Sequence, residues 1–410
     1  MRSAPRRRAA RALAAALPLA LGCGSPASPQ CPEPRAPPSA KAAASSAASP
    51  IAAAAAEGPR LAVTLIPASS GASLEVQIVA SGEPAALQRW SISAPDPGAL
   101  HLVELRDDRG PIAAELVDRP ASPRGAGARA FTLPAPPTGA LHLRYTVTPK
   151  SRPLSAPASV DLDPNRMEAA GEALLLLPDA FDDRPTAITL ELRPIALEQN
   201  LGAASSLGVG NTRERTARGS ELRASTFLFG PMGHALFETP EGHDEAAWFG
   251  YTSFDPRPIA ADVAAFRTAV GNLFGARATE PLTLLIVADA RPLGAFQARR
   301  RAASILVHVG VAEPWSGPVR ISVAAEVIHA WIGERLWIGP DDPAHEAEAH
   351  WFVQGVTRHL ARDLLFRFGL ITNEELLDEL HGLLGLLATS PRRAESNASL
   401  AQHEGEPGVA

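Results

Sequence analysis

Cysteine is nearly absent. Cys23 and Cys31 are the two in 410 residues, both close to the N-terminus, so no disulfide framework can staple the chain. Aromatic residues are scarce at 5%, and alanine supplies much of the 46% hydrophobic fraction, a level that fits a globular protein. Beyond the N-terminal segment, no apolar run is long enough to cross a bilayer as a helix. A phosphate-binding glycine loop and a serine-nucleophile motif are both missing. Leu207-Gly208-Val209-Gly210-Asn211 is a lone Gly-x-Gly of the kind that makes a turn. No internal repeat is seen. Positive charge is also in deficit, as worked out next, and nucleic acid is therefore not expected as a partner.

What is present begins with an export signal. Arg2, Arg6, Arg7, Arg8 and Arg11 form a positive start, and Ala12 to Leu21 forms an apolar core too short to span a membrane. The segment ends Leu19-Ala20-Leu21-Gly22-Cys23, which resembles a bacterial lipobox whose cysteine is lipidated. Residues 1–22 read as the signal peptide, Cys23 as the anchor, and the membrane as a partner reached through lipid alone. Removing the signal takes away five arginines and no acid, which moves the formal charge from −6 to −11. Residues 23–58 hold Pro, Ala and Ser with few large apolar groups, too little to bury, and read as a tether.

The rest reads as α+β and multidomain. Over 59–255 the apolar positions alternate, as at Leu74, Val76 and Ile78, at Leu141, Leu143, Tyr145 and Val147, and at Ile188, Leu190 and Leu192. This predicts a β-sandwich-like domain, with Ala173 to Leu177 as a strand buried on both faces. Over 256–390 the period turns helical. Ile259, Val263, Phe266, Val270, Leu273 and Phe274 share one helix face. Leu282–Val287 and Ser304–Val309 read as strands, and 321–337 and 350–368 as helices, with Gly369 as the stop of the second. Thr372 and Glu375 make a capping box that opens a last helix, with Leu376, Leu380, Leu383 and Leu387 on one face. Residues 391–410 are polar and expected to be loose.

Ala325-Glu326-Val327-Ile328-His329 has the shape of H-E-x-x-H with alanine in place of the first histidine. Histidines four apart project from one helix face and grip zinc together, and the glutamate beside the first polarises the attacking water. Trp351-Phe352-Val353-Gln354-Gly355-Val356-Thr357 follows, then Asp363-Leu364-Leu365-Phe366-Arg367-Phe368-Gly369-Leu370. With His329-Ala330-Trp331 and Arg335, these segments resemble the glycyl aminopeptidase family of gluzincin metallopeptidases. The resemblance implies a thermolysin-like catalytic domain after a β domain. It also implies that Gln354 stands where the family has its glutamate ligand. Leu293-Gly294-Ala295-Phe296-Gln297 lies where the family's loop presents a glutamate to the substrate's amino group, so Gln297 replaces that carboxylate.

Three departures therefore fall on three functional positions: Ala325, Gln354 and Gln297. Alanine has no lone pair, and a neutral amide oxygen is a poor zinc ligand. His329 remains, with Glu326 as a relic base. The expectation is a degenerate relative that holds no cofactor and binds a peptide or protein ligand. The alternative is an active peptidase with zinc on unorthodox ligands, for which His345, Glu348 and His350 are candidates. A solvated loop is the usual explanation of those three residues, as a core histidine is of His329 and a solvated run is of Arg299-Arg300-Arg301.

Overall fold

Alternating apolar and polar side chains build the N-terminal half. The computed structural model describes residues 58–92, 100–119, 128–149, 160–193, 201–240, 242–250, 252–275, 280–338 and 349–401. Within it, Arg60–Pro67 buries Leu61, Val63 and Leu65 on one face. It pairs antiparallel with Leu74–Ser81 and parallel with Thr186–Leu192. These strands belong to a seven-stranded sheet that runs on through Leu141–Val147 and Leu100–Asp107. A four-stranded sheet carries Arg89–Ile92 and Ala128–Thr132. Trp90 and Phe131 from the smaller sheet share one core with Leu61, Ile78 and Tyr145 from the larger, a β-sandwich arrangement. The signal, the tether and Cys23 lie outside the described residues, as do His345 and Glu348.

A third sheet, of nine strands, leads to the helices. Gly242–Phe249, Thr283–Asp289 and Ser304–Gly310 are parallel neighbours in it, and Gln297–Arg301 is its antiparallel edge. Every residue of Thr283–Asp289 is buried, as expected for a strand covered on both faces. Leu284, Ile286 and Ala288 join the core formed with the helices, whereas Leu285 and Val287 join a smaller cluster on the other face. The helix Pro256–Leu273 starts at Asp255, whose side chain accepts from the Arg257 N–H at 3.0 Å, and buries Ile259, Val263, Phe266 and Val270. The remaining long helices are Gly317–Ile328, Thr357–Arg367 and Asn373–Thr389. Among the described residues no helix is long and apolar enough to cross a membrane.

Four sequence expectations need correction. Ala173–Leu177 is not a strand: Gly171–Leu174 is a single helical turn, and only Leu177–Pro178 pairs, with Trp90 and Ser91. The helix expected over 321–337 starts earlier and stops at Ile328, because Gly333 takes φ +102° and its N–H closes a turn onto the Leu336 carbonyl. The helix expected over 350–368 opens with a π-helical turn, Trp351–Val356, before the α-helix Thr357–Arg367. That helix does end as expected, with Gly369 at φ +69°. The stretch expected to be loose after 390 contains a short helix, Asn397–Ala401.

Candidate functional site

The helix Gly317–Ile328 is apolar nearly all round, with Val319, Ile321, Val323, Ala324, Ala325, Val327 and Ile328 buried. Such a helix is fixed by the core on several sides, so its last turn is held rigidly. Ala325 is 4% exposed. Its carbonyl accepts the His329 N–H at 3.0 Å, and His329 caps the helix. A carbonyl can only accept, so the His329 Nδ1 donates to the Ile332 carbonyl at 3.3 Å. In a neutral ring that bond leaves the lone pair on Nε2. His329 is 8% exposed, and Nε2 is buried without a hydrogen-bond partner.

Glu326 sits between this histidine and the sheet edge. Its carboxylate accepts the backbone N–H of Arg300 at 2.8 Å. Burial pushes its pKa above the ordinary carboxylate range, opposed in turn by His329, the Arg300 N–H, and the charges of Arg300 and Arg299. The bond to Arg300 uses the outward side of an edge strand whose other side is paired to Ser304–Gly310.

Residues 297–301, placed in a loop by the sequence resemblance, form that edge strand. Gln297 lies opposite His308, Arg299 opposite Leu306 and Arg301 opposite Ser304, so these three side chains share one face. With its amide oriented so that the oxygen meets donors, Gln297 accepts from Arg299 at 2.8 and 3.0 Å. The Arg299 guanidinium holds its proton less tightly than usual, first because it is half-buried, then because Arg301 lies near; Glu172 and Glu326 oppose this. Arg300 pairs with Glu334, and Arg301 reaches Glu172 at 3.1 Å. The neighbouring strand sets His308 Nε2 2.7 Å from Glu168. The three arginines, a solvated run on the sequence alone, are thus partly buried and partnered.

Sequence reasoning missed Glu168, Glu172 and His308. The first two lie well over a hundred residues before their partners, and nothing local to them signals the pairing.

Gln354 is exposed, in the π-helical turn. The Thr357 hydroxyl donates to the carbonyls of Val353 and Gln354 at 2.5 and 3.1 Å and pins that backbone. The preceding residue, Val353, does reach the site: a Cβ on Gly333 would meet Val353 Cγ1 at 3.1 Å and His329 Nδ1 at 3.8 Å. Glycine is required at 333 both for this approach and for its positive φ. The structure therefore brings together Glu326, His329 and the 297–301 strand, and leaves the Gln354 side chain facing solvent. His350 is half-buried at the start of the π-turn.

A zinc site needs three protein ligands and an open position. His329 Nε2 has the right tautomer and an unused lone pair. Ala325 offers a buried methyl, and Gln354 an exposed neutral amide. Among the described residues, these three positions do not fit the ion. Among the described residues, no group of three or more His, Cys, Asp or Glu side chains is placed to hold a metal. On the opposite face of the same helix, a cavity of about 180 Å³ is lined by Phe266, Trp315, Val323, Val327, Leu365 and Leu370.

No family model matches the sequence, and a search of curated proteins returns no match. Solved structures do match. An aminopeptidase N family protein from Idiomarina loihiensis aligns with a TM-score of 0.59 at 16% identity, over 82% of this chain and 58% of that one. The M1 zinc metallopeptidase of Deinococcus radiodurans aligns at 0.50 and 15%, over 83% and 78%. Native yeast LTA4 hydrolase aligns at 0.50 and 13%, over 82% and 52%. The chain thus has the α+β fold of zinc aminopeptidases and spans under two thirds of the length of the first of these. The neighbours are M1 zinc metallopeptidases, which supports the fold expected from the resemblance without singling out its glycyl subgroup.

Proposed function

We propose that this chain is a catalytically degenerate, aminopeptidase-like envelope lipoprotein, a pseudopeptidase that binds a peptide or protein ligand. The observation that carries this reading is Ala325, a buried methyl one helical turn before His329, where a zinc peptidase needs a lone pair. Two further features agree with it. Glu326 accepts the Arg300 N–H, a bond that holds its carboxylate against the edge strand instead of leaving it free for a metal-bound water. Gln297 engages Arg299 and has no carboxylate to offer an α-amino group. The aminopeptidase-like fold is kept, and recognition can outlive hydrolysis on such a fold. On this reading the protein is exported, held to a bacterial envelope membrane by lipid on Cys23, and does not engage nucleic acid.

Elemental analysis of the purified full chain, combined with hydrolysis of aminoacyl anilides with and without chelator, tests the proposal. Zinc far below one ion per chain and no chelator-sensitive turnover are expected. Stoichiometric zinc with chelator-sensitive turnover would establish the second reading, an active peptidase on unorthodox ligands, which draws on the unpartnered His329 Nε2. The anchor is tested separately: wild type should fractionate with membranes, and Cys23→Ala should be released or left unprocessed.

A further inference from the structure

The helix Asn373–Thr389 is attached to the body at one end. Thr372 and Glu375 exchange the two bonds of a capping box, at 3.2 and 2.9 Å. Arg320 ties this end down by pairing with Glu375 and donating to the Leu370 carbonyl at 2.7 Å. Leu376 packs against the helical core. Beyond that turn the helix projects, and none of its 17 residues is buried. It also carries Gly382 and Gly385, each of which costs about 1 kcal/mol relative to alanine in a helix interior. Helices of this length owe most of their stability to packing, and this one has little of its own.

Its outward face has a pattern. Leu377, Leu380, Leu384 and Leu387 are 52%, 39%, 62% and 58% exposed. Their spacing of three, four and three is that of successive a and d positions over two heptads, which makes a seam; Leu386, 66% exposed, lies outside it. The ends of the helix differ in charge. Glu374 and Asp378 are exposed at its start, and Arg393 is exposed just beyond its end.

We infer that this seam pairs with the same helix of a second copy, antiparallel about a two-fold axis. In that arrangement Leu377 meets the partner's Leu387, and Leu380 meets the partner's Leu384. A two-fold requires such reciprocity, because one patch serves both copies. The antiparallel sense sets the acidic start of each helix beside Arg393 of the other and opposes the two helix dipoles favourably. A parallel pair would set like charges together. Four leucines a side make a contact at the small end of specific interfaces, so association is expected at micromolar and higher concentration, not below. This inference stands apart from the pseudopeptidase reading and uses none of its residues.

Sedimentation velocity on the purified full chain, from about 1 to 100 µM, tests it. Wild type should shift from monomer to dimer across that range. Leu380→Glu/Leu384→Glu should stay monomeric with an unchanged circular dichroism spectrum, since both side chains are already exposed. Arg393→Glu should weaken the dimer several-fold, and Glu374→Arg/Arg393→Glu should restore it. A wild type monomeric throughout, or a dimer that survives the double leucine substitution, would overturn the inference. Failure of the charge exchange to restore the dimer would overturn the antiparallel pairing. Vesicle flotation of neutral and anionic phospholipid supplies the remaining arm: leucine-dependent binding to vesicles by a chain that never dimerises would assign the seam to a lipid surface instead.

Discussion

Tyr145 lies in the middle of the sandwich core with no exposed surface, and its hydroxyl is used twice. It donates to the Leu174 carbonyl at 2.8 Å and accepts the Leu176 N–H at 3.0 Å. Both of those residues are themselves fully buried. Tyr145→Phe would keep the ring and remove the oxygen, leaving one carbonyl and one N–H in the core without partner or water. Each such group costs about 1–3 kcal/mol, so the variant should lose about 2–6 kcal/mol. Denaturant unfolding of the full chain reads this as a lower midpoint with the slope unchanged. A loss below about 1 kcal/mol would refute the argument that this hydroxyl is the sole partner of both groups. The effect should also reach the cleft. The turn that Tyr145 clamps, Gly171–Leu174, carries Glu172 to Arg301.

Three shorter predictions concern titration and metal. The Thr138 N–H, then the side chain and N–H of Arg109, hold the Asp107 pKa at about 2, below its ordinary 3.8. Its stabilising contribution is therefore present above pH 4 and lost as pH falls through about 2; Asp107→Asn should flatten that acid limb in melting experiments. Glu326 has the opposite sign: its raised pKa means stability is fully present below the ordinary value of 4.5 and declines as pH rises through the folded one. Glu326→Gln should remove that decline, and a variant that declines as wild type does would refute the assignment. Ala325→His alone crowds a buried position and should cost about 1–3 kcal/mol. Together with Gln354→Glu, whose carboxylate must turn in from solvent to reach His329, it should gain zinc by elemental analysis and a melting temperature that falls on chelation, and neither single variant should.

Much of the architecture was legible because burial in a sandwich imposes a period of two. Leu141, Leu143, Tyr145 and Val147 announce their strand, and all four are buried. The capping box at Thr372 and the stop at Gly369 were legible because each is a local device. Ala173–Leu177 was misread because a continuous apolar run has no period, and helix and strand bury it equally well. The end of the helix at Ile328 depends on a turn closed by Gly333 and Leu336, which no helix-stop residue next to His329 announces. The π-turn leaves no signature in side-chain spacing. The metal motif was legible as residue types, but its electrostatics were not. They depend on which carboxylates fold back onto the 297–301 strand, and the paired residues Glu172 and Arg301 are 129 positions apart.

That strand also bears on how a cleft of this kind loses its ion without unfolding. On the pseudopeptidase reading, removing a divalent cation would leave Glu326 as a buried carboxylate, which is costly unless it is bonded or neutralised. Here the Arg300 N–H bonds it, and the charges of Arg300 and Arg299 favour its ionised form, while burial favours the neutral one. The guanidinium groups thus supply positive potential beside Glu326. The same potential must oppose any zinc brought back, since like charges in a partly buried site repel more strongly than in water. Adding Arg299→Gln to Ala325→His/Gln354→Glu should therefore tighten zinc binding by about tenfold or more, since about 1.4 kcal/mol of relieved repulsion is a factor of ten. The gain should shrink as salt is raised from 50 to 500 mM, if the effect is electrostatic. Competition titration with a chelating zinc indicator measures both. Equal affinity of the double and triple variants at low salt would show that Arg299 does not act on the metal position.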